Sequence, residues 1–120
     1  MRNSFTLIMP SAVFCGEDSL DNLDELLKGV NKVVIFTDQI IRSAGLLDRL
    51  LQKVNNLQIQ SVTIDDLATE PTVYQANKVI ERFRSEGADL IIAVGGGSVM
   101  DMAKLCSILN TDYYTIFDLL

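Results

Sequence analysis

Histidine and tryptophan are absent from this chain of 120 residues, and cysteine and proline occur only twice each. Without histidine, the chain cannot form a Ser-His-Asp or Cys-His catalytic arrangement, nor a histidine-ligated metal site of its own. The two cysteines, Cys15 and Cys106, lie near opposite ends of the chain and lack C-x-x-C spacing. We therefore expect two buried, reduced thiols rather than a zinc site.

Basic residues are also scarce, because ten lysines and arginines stand against sixteen acidic residues and give a formal net charge of −6. This balance argues against a broad surface for nucleic acid or membranes. No apolar run approaches the ~20 residues needed to span a bilayer. The run Phe5–Met9 faintly resembles a signal peptide, but Pro10 interrupts it and no Ala-x-Ala site follows. We expect a cytoplasmic protein that binds neither nucleic acid nor membrane.

Apolar residues make up 48% of the chain, and their spacing alternates between strand-like and helix-like periods. The predicted strands are Ala12–Cys15 at an edge, Val33–Phe36, Leu57–Ile64 and Asp89–Val94. The predicted helices are Leu20–Leu27, Ile40–Val54 with a break at Gly45, a segment capped by Thr72 and ended at Gly87, and a segment from Ser98. This alternation needs crossover connections, so the expected fold class is α/β: a doubly wound, mainly parallel, Rossmann-like sheet in one domain over residues 1–120.

The segment Asp89–Lys104 reads D-L-I-I-A-V-G-G-G-S-V-M-D-M-A-K and carries the clearest chemical signal. Gly95, Gly96 and Gly97 directly follow a buried strand. Because glycine has no Cβ atom, no side chain covers their backbone N–H groups. A helix from Ser98 would aim its positive end at the same place, and Ser98 could cap it and donate to an anion. The pattern predicts a cradle for phosphate or pyrophosphate; the alternative is a tight turn with close packing.

Two acidic residues each allow two interpretations. Asp38 follows the Val33–Phe36 strand, where it could hold a ribose diol or cap the next helix. With a phosphate loop expected two strands away, the ribose role gains weight, and a carboxylate there favours NAD over NADP. Asp101 and Lys104 lie three apart on one helix, where they could form an exposed ion pair, or Asp101 could approach the cofactor.

Gly95–Lys104 resembles the G-G-G-S-x-x-D-x-A-K signature of the iron-containing (group III) alcohol dehydrogenase family. The resemblance continues along nearly the whole chain, in the turn Phe14–Leu20, in Thr37–Asp38, in Ala44–Leu47 and in Pro71–Thr72. It implies the amino-terminal cofactor domain of the fold that these enzymes share with dehydroquinate synthase. The parent enzyme would transfer hydride between NAD, less readily NADP, and a primary alcohol or aldehyde, with Fe²⁺ or another divalent metal polarising the oxygen.

The resemblance also implies roles for individual residues. Asp38 would bind the adenosine ribose, Gly96, Gly97 and Ser98 the pyrophosphate, Asp101 would lie near the nicotinamide, and Glu70 would line the same cleft. Members of the family carry a helical carboxyl-terminal domain that supplies an Asp and three His to the metal, and this sequence contains no such segment. We therefore expect an incomplete cofactor domain with no catalytic or metal-binding residue and no turnover of its own.

Two alternatives remain open at this point. One is a non-catalytic nucleotide-binding domain that self-associates as a homodimer through an exposed sheet edge. The other keeps the fold but changes the chemistry to that of a glycerol dehydrogenase or a dehydroquinate synthase-like enzyme. Ser98 favours the alcohol dehydrogenases over the glycerol dehydrogenases, which typically carry lysine there.

Overall fold

A five-stranded sheet with helices on both faces forms the core of this computed structural model, which describes residues 5–9, 12–16, 27–45, 47–67 and 70–108. The strands are β1 (Phe5–Met9), β2 (Ala12–Gly16), β3 (Lys32–Phe36), β4 (Gln60–Ile64) and β5 (Leu90–Val94). The helices are α1 (Gln39–Ser43), α2 (Asp48–Asn56), α3 (Val73–Glu86) and α4 (Gly97–Ile108). The expected α/β class is confirmed.

The strand order is β2-β1-β5-β3-β4, with β4, β3 and β5 parallel to one another. β1 runs antiparallel to both β5 and β2, so the sheet ends in a hairpin on that side. The chain moves outward from β3 to β4 and then returns past β3 to form β5. This reversal places the topological switch point, where open α/β sheets bind ligands, between the carboxyl ends of β3 and β5.

Successive residues of β3 and β5 point to opposite faces, and both faces are buried, which explains their continuous apolar sequences. On one face, Val34, Phe36 and Ile91 pack with α3 and α4. On the other face, Val33 and Ile35 pack with α1 and α2. Helices on both sides of the parallel strands are the arrangement that crossovers in two opposite directions produce.

The predicted strand Leu57–Ile64 is wrong over its first three residues, and β4 begins only at Gln60. Gln58 is left-handed with φ 60°, and it ends α2. The amides of Gln58 and Ile59 donate to the carbonyls of Asn55 and Val54 at 3.0 and 3.1 Å, the pattern of a Schellman motif. Ile59 is buried in the same cluster as Val54, so its apolar side chain serves helix termination rather than strand alternation.

Several local predictions are confirmed. Gly45, with φ 75°, separates α1 from α2, and Gly87 ends α3 in the left-handed region. Thr72 caps α3 in a reciprocal capping box with Gln75. Within the described residues, no helix is long and apolar enough to cross a membrane.

The amino-terminal predictions have mixed outcomes. The edge strand predicted at Ala12–Cys15 is confirmed as β2. Phe5–Met9 had no predicted strand, yet it forms β1 and pairs with β5. The helix predicted over Leu20–Leu27 lies outside the described residues except for Leu27.

Cys106 lies in the interior of α4 and is fully buried. Burial raises the pKa of its thiol from 9.0 to about 12, although the nearby charge of Arg84 opposes the shift. Because the folded state favours the protonated thiol, its contribution to stability is complete below the unfolded pKa and is lost as pH rises through 9 towards about 12.

We expect the free energy of unfolding to fall by about 1.4 kcal/mol between about pH 8 and pH 10 because of this one residue. The measurement is urea unfolding at each pH, compared with Cys106→Ala, which retains the other groups that titrate in this range. Identical pH profiles for the two proteins would contradict the prediction.

Candidate functional site

Gly95 links β5 to α4 and lies at the switch point of the sheet. Its backbone has φ +156°, and a Cβ atom built there would lie 3.0 Å from Cγ2 of Val99 and 3.3 Å from Oδ2 of Asp38. The turn therefore requires glycine at this position, as the tight-turn interpretation holds. The same distances show that the Asp38 carboxylate lies beside the glycine turn.

Gly96 and Gly97 differ from Gly95 because their surroundings are open. Both are exposed, and a Cβ atom at either position would find no atom within 4 Å apart from its chain neighbours and the backbone of its own helix. The Gly96 carbonyl accepts the Met100 amide at 3.1 Å, so α4 begins at Gly97 rather than at the predicted Ser98. Ser98 lies exposed in the first turn, and the role of helix cap passes to the residue before the helix. The prediction that Ser98 caps the helix is wrong.

Asp38 performs one of its two predicted roles within the chain. Its backbone is extended, and Oδ1 accepts the Ile41 amide at 2.8 Å, which caps α1. Oδ2 is the oxygen that faces Gly95. Asp38 follows β3, which pairs directly with β5, so the expected separation of two strands from the glycines is wrong. The reason is that β4, which lies between them in sequence, occupies the outer side of β3.

Thr37 is fully buried at the end of β3 and was not among the predicted site residues. Its Oγ1 donates to the Val94 carbonyl at 2.8 Å, and its amide donates to the Ile64 carbonyl at 3.0 Å. One residue thus connects the carboxyl ends of β5, β3 and β4 immediately before the site. A hydroxyl directly after the apolar run Val33–Phe36 was the signal available in the sequence.

Two further carboxylates follow β4, and neither was among the residues predicted for the site. Asp65 Oδ2 accepts from Arg42 Nη1 of α1 at 2.5 Å. Asp66 Oδ1 accepts from Arg82 Nη1 of α3 at 3.2 Å, and its backbone forms an isolated bridge with Asp38. Ion pairs to helices on both faces of the sheet therefore hold this loop beside Asp38.

The remaining predicted site residues lie on exposed surfaces. Asp101 and Lys104 project from α4 into solvent, and these two described residues form no ion pair with each other. Glu70 is exposed before α3. The structure brings together Asp38 and the three glycines, with Ser98 in the adjoining helical turn. Among the described residues, no side-chain hydrogen bond or ion pair joins Asp101 to this group.

The groups at the carboxyl ends of β3 and β5 are suited to binding a ligand rather than to catalysis. Three glycines and the start of a helix of 12 residues offer backbone donors and a positive dipole end, which suit an anion. Asp38 Oδ2 offers an acceptor for a diol. Among the residues that the structure describes, no group of three or more histidine, cysteine, aspartate or glutamate side chains could hold a metal ion.

Known sequences similar to this chain include alcohol dehydrogenases. The family model described as iron-containing alcohol dehydrogenase matches residues 10–120. An alcohol dehydrogenase of Thermococcus barophilus is 29% identical over 96 residues, which cover 80% of this chain and 25% of that protein. A probable NADH-dependent butanol dehydrogenase of Bacillus subtilis is 31% identical over 109 residues, which cover 87% of this chain and 27% of that protein. The chain thus spans about a quarter of the length of these relatives.

Solved structures share the fold. The iron-containing alcohol dehydrogenase of Thermococcus thioreducens matches with a TM-score of 0.68 and 28% identity, over 81% of this chain and 26% of that one. The NADH-dependent butanol dehydrogenase A of Thermotoga maritima matches with a TM-score of 0.69 over 86% of this chain and 27% of that one, and its 22% identity supports the fold alone. With a family match that extends over residues 10–120, the chain belongs to the iron-containing alcohol dehydrogenase family.

Proposed function

We propose that this chain binds NAD at the switch point of its sheet and serves as the cofactor side of an alcohol dehydrogenase. The observation that carries the proposal is the contact geometry at Gly95, where a Cβ atom would lie 3.3 Å from Asp38 Oδ2. A glycine turn and a carboxylate thus adjoin each other at the carboxyl ends of β5 and β3. A dinucleotide needs these two elements together, one for its pyrophosphate and one for its ribose.

The glycine loop provides the pyrophosphate half of the proposed site. Gly96 and Gly97 leave their backbone open to solvent, and α4 begins there with its positive dipole end. Ser98, exposed in the first turn, can add a hydroxyl donor. Asp101 is the fifth residue of α4, just beyond the first turn, and the family resemblance implies that it lies near the nicotinamide.

Asp38 provides the ribose half of the proposed site. Its Oδ1 is engaged in capping α1, which fixes the carboxylate, while Oδ2 faces the glycine turn. An oriented carboxylate accepts hydrogen bonds from a ribose diol and repels a 2′-phosphate, so NAD is favoured over NADP.

For the reaction, we propose interconversion of primary alcohols and aldehydes, in line with the butanol and alcohol dehydrogenases among the relatives. Bound NAD⁺ would supply the hydride acceptor, and the residues of this chain would hold and orient it. Iron, which the family name implies, has no donor set among the described residues, and the chain contains no histidine. We therefore assign no step to a metal, and we expect no turnover by the 120-residue chain alone.

Asp38→Asn tests the ribose role, because asparagine is as good a helix cap as aspartate but lacks the charge. We expect the affinity for NAD⁺ to fall at least tenfold, equivalent to about 1.4 kcal/mol, while the melting temperature stays close to that of the wild type. Isothermal titration calorimetry measures the affinity. Glu81→Gln, which removes an exposed charge from α3, is the matched control. Equal NAD⁺ affinities in Asp38→Asn and Glu81→Gln would overturn the ribose assignment.

The alternatives from the sequence stay predictions. Glycerol dehydrogenase-like or dehydroquinate synthase-like chemistry would use the same cofactor loop. Self-association as a homodimer would use an outer strand of the sheet, where β2 and β4 are the edges within the described part. Light scattering that shows a discrete dimer without dinucleotide binding would favour the self-association alternative. A cytoplasmic location also stays a prediction.

A further inference from the structure

A second charged residue lies close to the proposed ribose site. Arg42 follows Asp38 by one helical turn, and its amide donates to the Asp38 carbonyl at 3.1 Å. Arg42 belongs to the helix that Asp38 caps, and its side chain reaches Asp65, whose neighbour Asp66 is bridged to Asp38. In dinucleotide-binding folds, an arginine near the ribose position is the group that accommodates a 2′-phosphate.

The side chain of Arg42 is already engaged. Its Nη1 lies 2.5 Å from Oδ2 of Asp65, which follows β4. Asp65 is the more buried partner, with 24% of its side chain exposed against 52% for Arg42. The next residue, Asp66, is bridged through its backbone to Asp38, which fixes the loop that carries Asp65.

We propose that Asp65 is a specificity-determining residue that makes the ribose site selective for NAD by holding Arg42 away from a 2′-phosphate. This inference rests on the proposed function, since it concerns the same site. Asp65 acts by occupying the guanidinium, whose positive charge it neutralises, so that Arg42 is not available to a phosphate. The Arg42 guanidinium, which would favour NADP, is thus present in the chain, but its ion pair with Asp65 prevents it from binding a phosphate.

Arg82 occupies a parallel position on the other face of the sheet. Its Nη1 lies 3.2 Å from Asp66, so this guanidinium is also paired with a carboxylate of the same loop. Of the three aspartates at this edge, Asp65 and Asp66 have arginine partners, whereas Asp38 is bonded to a backbone amide. The negative charge of Asp38 therefore remains available to select against a phosphate.

Asp65→Asn is the direct test, because it preserves side-chain size and removes the charge that holds Arg42. We expect the affinity for NADP⁺ to rise about tenfold, the effect of one charge-assisted bond to phosphate, while the affinity for NAD⁺ changes less than about twofold. Calorimetric titrations are made in the wild-type and Asp38→Asn backgrounds, so that repulsion by Asp38 does not hide the gain.

Two further variants separate the causes. Arg42→Ala combined with Asp65→Asn keeps the lost charge of Asp65 but removes the guanidinium, and we expect the gain in NADP⁺ affinity to disappear. Glu86→Gln is the matched control, because it breaks the Lys32–Glu86 ion pair at the amino-terminal end of β3, the opposite end from the site, and should leave both affinities unchanged. Asp65→Ser removes the same carboxylate if the asparagine variant does not fold.

The outcomes distinguish the two proposals. If the folded wild type binds neither dinucleotide, the proposed function fails. If the wild type binds NAD⁺ but Asp65→Asn gains no more NADP⁺ affinity than Glu86→Gln, the role of Asp65 is overturned and the proposed function stands. A gain that persists without Arg42 also overturns the inference, because repulsion alone would then explain it.

Discussion

Gly95→Ala is expected to lower the free energy of unfolding by about 2–4 kcal/mol, through overpacking and through an unfavourable backbone conformation. The new methyl group would lie 3.0 Å from Cγ2 and 3.2 Å from Cβ of Val99, a buried residue of α4. It would also lie 3.3 Å from Oδ2 of Asp38. Because Val99 is packed against the sheet, α4 must shift to relieve the contact. The shift would displace the turn and Asp38 together, so NAD⁺ affinity should fall as well.

Gly97→Ala is the matched control for this prediction. It adds the same methyl group two residues later, where no atom lies within 4 Å apart from chain neighbours and the backbone of the same helix, and alanine is the better helix former. Urea unfolding should show unchanged or slightly higher stability for Gly97→Ala and a clear loss for Gly95→Ala. If both variants unfold at the wild-type urea concentration, the close contacts at Gly95 do not constrain the fold.

The features that the sequence predicted well depend on residues close to one another along the chain. The capping box joins Thr72 to Gln75 across three positions, and the left-handed residue at Gly87 ends the same helix. The break at Gly45 has the same local origin. The exception is Leu57–Ile59, where helix termination places apolar side chains at an alternation that imitates a strand. A strand and a helix terminus would both bury Ile59, so hydrophobic spacing alone does not distinguish the two.

The geometry of the site depends on strand order, which hydrophobic spacing does not encode. β5 pairs with β3 only because the chain returns past β3 after β4, and this return brings Gly95 beside Asp38. The ion pair between Arg42 and Asp65 joins the segments that follow β3 and β4, which pair as neighbouring parallel strands. Asp38 and the glycines were therefore predictable from local motifs and from the family resemblance, whereas the contacts that Thr37, Asp65 and Asp66 make at the site required the topology.

Thr37→Val is expected to lower the free energy of unfolding by about 1–3 kcal/mol, because valine keeps the shape of threonine but cannot donate to the Val94 carbonyl. That bond is 2.8 Å long and buried, so the carbonyl loses this donor in a place that water does not readily reach. The amide bond from Thr37 to Ile64 is retained, and the β3–β4 contact should remain. The damage should therefore be confined to the junction of β3 and β5.

Thr37→Ser separates the hydrogen bond from the packing, since it keeps the hydroxyl and loses a buried methyl group. It should cost about 1 kcal/mol of stability and leave NAD⁺ affinity close to that of the wild type. Thr37→Val should bind NAD⁺ several-fold more weakly even where it is fully folded, because Val94 precedes Gly95 and its carbonyl fixes the start of the turn. Calorimetry at a temperature below both unfolding transitions measures this difference. Equal affinities in the two variants would show that Thr37 stabilises the sheet without positioning the glycine loop.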